Sequence, residues 1–414
     1  MVVSPMLGLG CGSTNPQQES LSEFYWEVQG LRQKAGNTST GTEALRDLGV
    51  IYLRTGYYQD AYNVLSRSLV QDRSDPKRWF YSGLSLELLE RPEAALSTYA
   101  RFLSLSSASL HTRAMRGRVS WLRSVVDRKQ FEDLFARVSL PPTDGLSPDL
   151  YAVFPFECVS DSEVFNNVGL GLSEIISGDF EQLRNVEMID PRSVRLAYQI
   201  AGTVQNSSGL SRPAWTGRML GAGKIIGGTC NISGSERLDI DLIVQDLITD
   251  DVIHVSGSEL LASADALQKQ LVQDAAQQLR IWIPDREGAN LNSFPGTEAL
   301  IAFSDGIASE DAGEIDRSLS SFRTTLELKP SFSLADLHRQ RIENMVLARA
   351  SSKKDLIDLL VHLESSTSQD YLLESTLQQL GLNLGMGFVP GQDSRKQPPS
   401  NVGELPPPPT PTRN

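Results

Sequence analysis

The chain is poor in the residues that most often do chemistry. Its 414 residues include three cysteines, Cys11, Cys158 and Cys230, too few for a disulfide-dense scaffold or a cysteine-based zinc cluster. The four histidines, His111, His254, His338 and His362, lie far apart with no paired spacing, so no metal site is expected from them. Positive charge is also scarce: 38 Lys and Arg stand against 51 Asp and Glu, a net charge of −13. Without a basic face to release counterions, nucleic acid is not an expected partner. No apolar run approaches the roughly 18 residues that cross a bilayer, so a spanning helix is not expected either.

Familiar catalytic signatures are missing as well. There is no Gly-x-Ser-x-Gly elbow, and Cys158 has no histidine near it in sequence. Gly221-Ala222-Gly223-Lys224 invites a phosphate-loop reading, but the lysine is followed by Ile225 and Ile226. A phosphate loop needs Ser or Thr there and then a helix. Asp239 and Asp241 alternate with Leu238, Ile240 and Leu242, the pattern of the wet side of an antiparallel sheet. The expectation is a chain with no catalytic, cofactor-binding or metal-binding residues, and not an enzyme.

What is present is a repeat. Gly49 and Gly83 are 34 residues apart, as are Tyr52 and Leu86, Ala61 and Ala95, and Leu65 and Tyr99. Each glycine suits a close approach of two helices, and each alanine fills the facing gap. Leu45, Leu48, Gly49, Tyr52, Gly56, Tyr58, Ala61 and Leu65, then Trp79, Gly83, Leu86, Ala95, Tyr99 and Phe102, resemble two tetratricopeptide repeats. The second unit carries Glu90 where the first has the helix-ending Gly56, with Pro92 suited to a first helical turn. Gly117 falls 34 residues beyond Gly83, and Ala114–Val126 with Phe131–Val138 reads as a degenerate third hairpin. The resemblance implies that the first helix of each hairpin lines a concave face. Arg46, Val50, Arg54, Lys77, Phe80 and Leu84 are then expected to form a basic, partly apolar groove for a peptide or an acidic C-terminus. The competing reading of the same six is solvated faces and packing between repeats.

Pro141-Pro142-Thr143-Asp144-Gly145 breaks the helical pattern and closes a helical domain over 21–140. Beyond it the period changes. Tyr151 to Phe156 reads as a buried strand, Val164 to Leu183 as a helix, and Val186 to Ile189 as a strand closed by Asp190-Pro191. Ser193 to Ile200 is helical, and Lys224 to Ile232, Leu238 to Leu247 and Val252 to Val255 form a meander before a helix from Ala264 to Trp282. This order, with Ala152-Val153-Phe154-Pro155-Phe156, Gly171-Leu172-Ser173-Glu174-Ile175-Ile176, Asp190-Pro191 and Leu220 to Gly228, resembles the TolB amino-terminal-type domain shared with the CsgG-like curli secretion lipoprotein family. The likeness covers 147–285. Cys158 follows the first strand and Cys230 lies in the third, so they can pair in an oxidising compartment or remain two buried thiols.

From 290 to 384 repeat spacing returns: Ala302, Gly306, Ser318, Phe322, Thr325 and Pro330, with Gly313 ending a first helix. The segment 385–414, with Pro390, Pro398, Pro399, Pro406 to Pro409 and Pro411, is expected to be a disordered tail. At the other end, Leu7-Gly8-Leu9-Gly10-Cys11-Gly12-Ser13 resembles a lipoprotein signal ending at a lipidated cysteine, with 1–20 as remnant and tether. No Lys or Arg precedes Cys11, so either the true start lies upstream or Cys11 is an ordinary free thiol.

The expected fold class is α plus α/β, helical hairpins flanking a TolB-type domain. The resemblances together imply a non-enzymatic scaffold, lipid-anchored through Cys11 at the periplasmic face of a bacterial outer membrane. Its partners would be other envelope proteins in assembly, secretion or transport, with an oligomer possible. No pair of alternating, turn-linked strands of about ten residues suits a membrane pore. A cytoplasmic adaptor without lipid is the alternative.

Overall fold

The computed structural model of the chain describes residues 16–35, 41–105, 109–136, 140–206, 208–234, 236–281 and 291–366. Cys11 and the 385–414 tail lie outside the described residues. Residues up to Leu360 form one compact unit, and those from Val361 belong to a second. Among the described residues no helix is long and apolar enough to cross a membrane.

The first unit opens with six helices: α1 (Pro16–Ala35), α2 (Gly41–Arg54), α3 (Tyr58–Gln71), α4 (Pro76–Leu88), α5 (Pro92–Leu103) and α6 (Leu110–Phe135). Local chemistry sets their starts. Asp75 accepts the Lys77 N–H with Pro76 in the first turn of α4, and Ser109 accepts the Thr112 N–H at the start of α6. The 34-residue spacing corresponds to helix contacts. A Cβ on Gly49 would lie 2.5 Å from Leu65 Cγ, and one on Gly83 would enter the Tyr99 ring. Ala61 and Ala95 are fully buried where the hairpins close. Gly56 ends α2 with φ +84°, and Glu90 takes the same left-handed turn after α4 with φ +60°, a conformation that glycine adopts without strain.

The third hairpin is not as expected. α6 runs unbroken through 26 residues, because the stretch between Val126 and Phe131 holds neither Gly nor Pro. Gly117 still receives a helix, but from far along the chain: a Cβ there would collide with the Asn344 carbonyl of α13 (Ser333–Leu347). Around this crossing Trp121 Nε1 donates to Met345 O (3.0 Å), and Arg118 Nη1 donates to Ala348 O (3.1 Å) and Ala350 O (3.0 Å). The Arg118 guanidinium also pairs with Glu87 of α4. α13 follows a hairpin of α11 (Thr297–Asp311) and α12 (Ile315–Leu328). That hairpin repeats the contact seen in the first two: a Cβ on Gly306 would lie 2.6 Å from the Phe322 ring, and Ser318 Oγ donates to Gly306 O at 2.9 Å.

Between α6 and α11 lies the sheet domain. Its elements are β1 (Ser147–Val153), β2 (Glu157–Ser160), α7 (Val168–Glu181), β3 (Glu187–Met188), α8 (Pro191–Ala201), α9 (Arg212–Met219), β4 (Ala222–Ile232), β5 (Arg237–Asp246), β6 (Val252–Leu260) and α10 (Ala264–Gln278). The strand order is β3-β1-β4-β5-β6. β1 is parallel to both β3 and β4, while β4, β5 and β6 form an antiparallel meander. β2 pairs with the far part of β4, so β1 and β2 lie end to end along it. Leu238, Ile240, Leu242 and Val244 of β5 point into a core shared with α7 and α10. Phe154 and Ile225 on the opposite face pack with Val194 of α8 and Ala214 of α9. That second cover stops short, leaving Thr229, Asn231, Ser256 and Ser258 exposed.

The α plus α/β architecture expected from the sequence is the one observed, with helical hairpins that close at the 34-residue spacing. Two differences concern the sheet. β2 and α9 were not anticipated, being four and eight residues long. The cysteines are also not two buried thiols: Cys158 and Cys230 are register partners on β2 and β4 and form a disulfide. The bond pins the four-residue β2 to the sheet.

If the glycines set helix approach, Gly83→Leu should destabilise the unit by about 1–3 kcal/mol or more, through overpacking against Tyr99. Gly30→Leu, with no heavy atom within 4 Å of its Cβ, should leave the denaturation midpoint near wild type. Equal midpoints for Gly83→Leu and wild type would remove the helix-contact role.

Candidate functional site

α2 touches α4, and α4 touches α6. The side on which successive first helices meet is the inner side of a hairpin array, and the six residues expected to line a groove divide there. Arg46 reaches Asp47 Oδ1 through Nε (3.0 Å) and Nη2 (2.9 Å), and approaches Asp75 Oδ2 at 3.5 Å. Val50 and Lys77 are half-buried and Arg54 is exposed. Phe80 and Leu84 are fully buried, which corrects their expected place on an open surface. The cause is the position of α4 between its neighbours: ten of its 13 residues are buried. Phe80 stacks with Tyr99, with ring centroids 6.2 Å apart, and meets Tyr81 and His111 edge-on.

Arg46 and Lys77 both act on one buried group, His111. Burial, and then the charges of Lys77 and Arg46 in the same direction, push the His111 imidazole down to about 3. His111 therefore stays neutral at physiological pH, with Nε2 3.1 Å from the Tyr81 hydroxyl. In the sequence it is weighed only as a metal ligand, although it stands 34 residues after Lys77, the same period that marks the glycines.

The densest charge in the unit lies elsewhere, where α7, α8, α11 and α13 converge. Arg195 Nη1 meets Glu174 Oε2 at 2.6 Å, and its Nε meets Asp311 Oδ2 at 2.7 Å. His338 lies between Glu174 Oε1 (3.1 Å) and Glu310 Oε2 (3.2 Å), and Arg341 Nη2 and Arg192 Nε reach Glu310 at 2.6 and 3.1 Å. Burial alone would raise Glu174, but Arg195, the His338 hydrogen bond and Arg341 hold it down at about 2. Glu310 is likewise held well below the usual carboxylate range by Arg341, His338 and Arg192 against the effect of burial. Asp311 is raised, by burial first and then by the nearby Glu310 and Glu174, despite Arg195.

Cavities of about 290 Å³ and 380 Å³ flank this cluster, the first lined by Asp127, Arg192, Glu310 and Asp311, the second by Pro155, Leu170, Arg195 and Tyr198. The place corresponds to the crevice beyond the carboxyl ends of β1 and β3, where open α/β sheets receive ligands. Here the three carboxylates are engaged by three guanidinium groups and a histidine. What the arrangement does chemically is tie the sheet domain to the hairpins.

A second buried acid fastens a connection. Asp179 of α7 accepts the Asn292 N–H (2.7 Å) and Nδ2 (3.0 Å), and Gln268 Nε2 of α10 also points at it. Burial raises it to about 6 in spite of these bonds and of Lys269. Gln268 Oε1 has no hydrogen-bond partner.

The remaining sequence candidates are structural. Lys224 lies in β4, donating to Pro148 O at 2.7 Å and facing Asp246 at 3.3 Å, so its glycines enter a strand and not a phosphate-binding helix. Asp239 and Asp241 lie on the uncovered face of β5, with side chains 47% and 42% exposed. Among the described residues no group of three or more His, Cys, Asp or Glu is placed to hold a metal ion.

No family model matches the chain, and no curated protein matches it. Among solved structures, a tetratricopeptide repeat protein from Parabacteroides merdae ATCC 43184 is similar over 79% of this chain and 95% of its own, at 10% identity and a TM-score of 0.24. A likeness at that level carries no argument, and the hairpin assignment rests on the glycine contacts above.

Arg195→Met would leave Asp311 buried without its guanidinium partner and Glu174 with His338 alone, and should cost about 3–5 kcal/mol at neutral pH. An unchanged denaturation midpoint would contradict the coupling. The depressed Glu174 contributes stability that is present above the ordinary glutamate range and lost as pH falls toward about 2. Asp179 has the opposite sign. Its raised value means its contribution is full below the ordinary aspartate range and lost as pH rises through about 6. Asp179→Asn keeps an acceptor for Asn292 and, once the Gln268 amide turns over so that Oε1 replaces Nε2 at this contact, offers it a donor. It should therefore stabilise the protein at pH 7.5, by on the order of 2–3 kcal/mol, and much less at pH 4.5. Urea midpoints at the two pH values measure this, and a loss of stability at pH 7.5 would refute it.

Proposed function

We propose that the chain is a non-enzymatic scaffold of the bacterial cell envelope, anchored by lipid on Cys11 and binding other envelope proteins during assembly, secretion or transport. The observation that carries this reading is the hairpin array itself. Two hairpins and α6 present an inner side with Arg46, Val50, Arg54 and Lys77 accessible on it, and such arrays use their inner surface for extended protein partners. Its positive charges suit an acidic peptide segment. Phe80 and Leu84 act from beneath, by fixing the spacing of α4.

Two further features support the compartment and the middle domain. A Cys158–Cys230 disulfide persists in oxidising surroundings such as the periplasm and is rare in the cytosol. The order β1, α7, β3, α8, then the β4–β6 meander and α10 is the order on which the TolB-type and CsgG-like resemblance rests. The densest buried charges are engaged with one another, which suits a joint better than a reaction centre.

The test uses the full chain from its native membrane fraction. Mass spectrometry should find Cys11 as a lipidated N-terminus and Cys158 with Cys230 protected from alkylation until reduced. Pull-downs from envelope extract should lose partners when Arg54→Glu and Lys77→Glu are combined, with the thermal midpoint retained. An unmodified Cys11 with freely alkylated Cys158 and Cys230 would favour a cytoplasmic adaptor. Full partner retention in the double variant would remove the inner side as the binding surface.

A further inference from the structure

The far edge of the sheet is built like an interface. β6 is the terminal strand, and only β5 pairs with it among the described residues. Nine consecutive register pairs, from Val252↔Gln245 to Leu260↔Arg237, run without a shift. Folded proteins normally blunt such an edge with proline, lysine, a bulge or a short strand. β6 is nine residues long and has none of these devices.

Two bonds fix which way its backbone points. Asp246 N–H donates to Asp251 O at 2.9 Å at one end of the pairing, and Leu261 N–H donates to Glu236 O at 2.8 Å at the other. Odd-numbered residues therefore bond to β5, and alternation turns the N–H and C=O groups of Val252, His254, Ser256, Ser258 and Leu260 outward. Of these donors, Leu260 N–H is taken by the Glu259 carboxylate at 2.9 Å. The side chains of the same five residues share the uncovered face. Val252 and Leu260 are each 49% exposed and stand four residues on either side of Ser256.

We propose that β6 pairs antiparallel with β6 of a second copy of this chain, centred on Ser256, giving a twofold dimer with one continuous sheet. In that register Val252 meets Leu260 of the second copy, His254 meets its Ser258, and Ser256 meets Ser256. Apolar faces apolar and polar faces polar along the whole row. The outward-pointing residues are also the ones that exchange backbone hydrogen bonds, as the twofold requires. A shift of two residues sets Val252 against Ser258 and leaves Leu260 beyond the end. On the opposite face Ile253 meets Glu259, and Leu260 N–H exchanges the Glu259 carboxylate for a carbonyl of the incoming strand.

The experiment compares full-length wild type with Ser256→Pro in a Cys11→Ser background, by light scattering and analytical ultracentrifugation at micromolar concentration. Ser256 N–H faces away from β5, so proline there removes an edge donor without cutting the inner ladder. Wild type should be dimeric and Ser256→Pro monomeric, with unchanged circular dichroism. Ser256→Cys should oxidise to a covalent dimer, because hydrogen-bonded antiparallel partners sit about 5.5 Å apart at Cα. Val252→Cys should not, since its partner is Leu260. A monomeric wild type, a dimeric Ser256→Pro, or equal crosslinking of the two cysteine variants would each overturn the proposal. Should Ser256→Pro fail to fold, the cysteine pair decides alone.

Discussion

The constraint on which the rest depends is the missing side chain at Gly117. There the backbone of α13 settles against α6, and Trp121 and Arg118 reach the carbonyls of Met345, Ala348 and Ala350. Once that crossing is made, the hairpins before the sheet domain and those after it become one body. The domain between them is then held at a second place, by the buried charges of α7, α8, α11 and α13. Arg118 extends the joint by pairing with Glu87, so α4 is tied to the same crossing.

This arrangement divides the labour among the charged residues. Buried ion pairs add little net stability compared with well-packed apolar groups, but they tolerate few alternative geometries. Glu174, Arg195, Glu310 and His338 therefore act chiefly to specify how the sheet sits against α11 and α13. Apolar packing provides the bulk of the cohesion, through Phe303, Phe322 and Phe332 continuing into the core of α7 and the sheet.

The repeat was legible in the sequence because its physics is local and periodic: Gly49 with Leu65, and Gly83 with Tyr99, sit at fixed spacings within a hairpin. Gly306 with Phe322 was legible for the same reason. Gly117 carried the right period but could not disclose its partner, which lies more than two hundred residues away. Of the six residues expected to line a groove, four are accessible at least in part and two are not. Arg46, Val50, Arg54 and Lys77 are on an accessible side, whereas the burial of Phe80 and Leu84 follows from neighbours on both sides of α4, which a single-helix pattern does not reveal. The ionic cluster has members scattered from residue 174 to residue 341, and no local spacing betrays it. Pairing of Cys158 with Cys230 depended on the register of β2, a strand too short to announce itself.

The crossing of α6 by α13 also bears on how the chain is made. A free-standing repeat array can settle hairpin by hairpin as it leaves the ribosome, each unit leaning on the one before. Here Gly117 and Trp121 emerge long before the segment that covers them, and the entire sheet domain must be synthesised in between. During that interval the open flank of α6 is an apolar, carbonyl-seeking surface without its lid. The final fastening of the first hairpins waits for α13 to be synthesised, which couples the two ends of this unit where the repeats of an ordinary solenoid lean only on their neighbours.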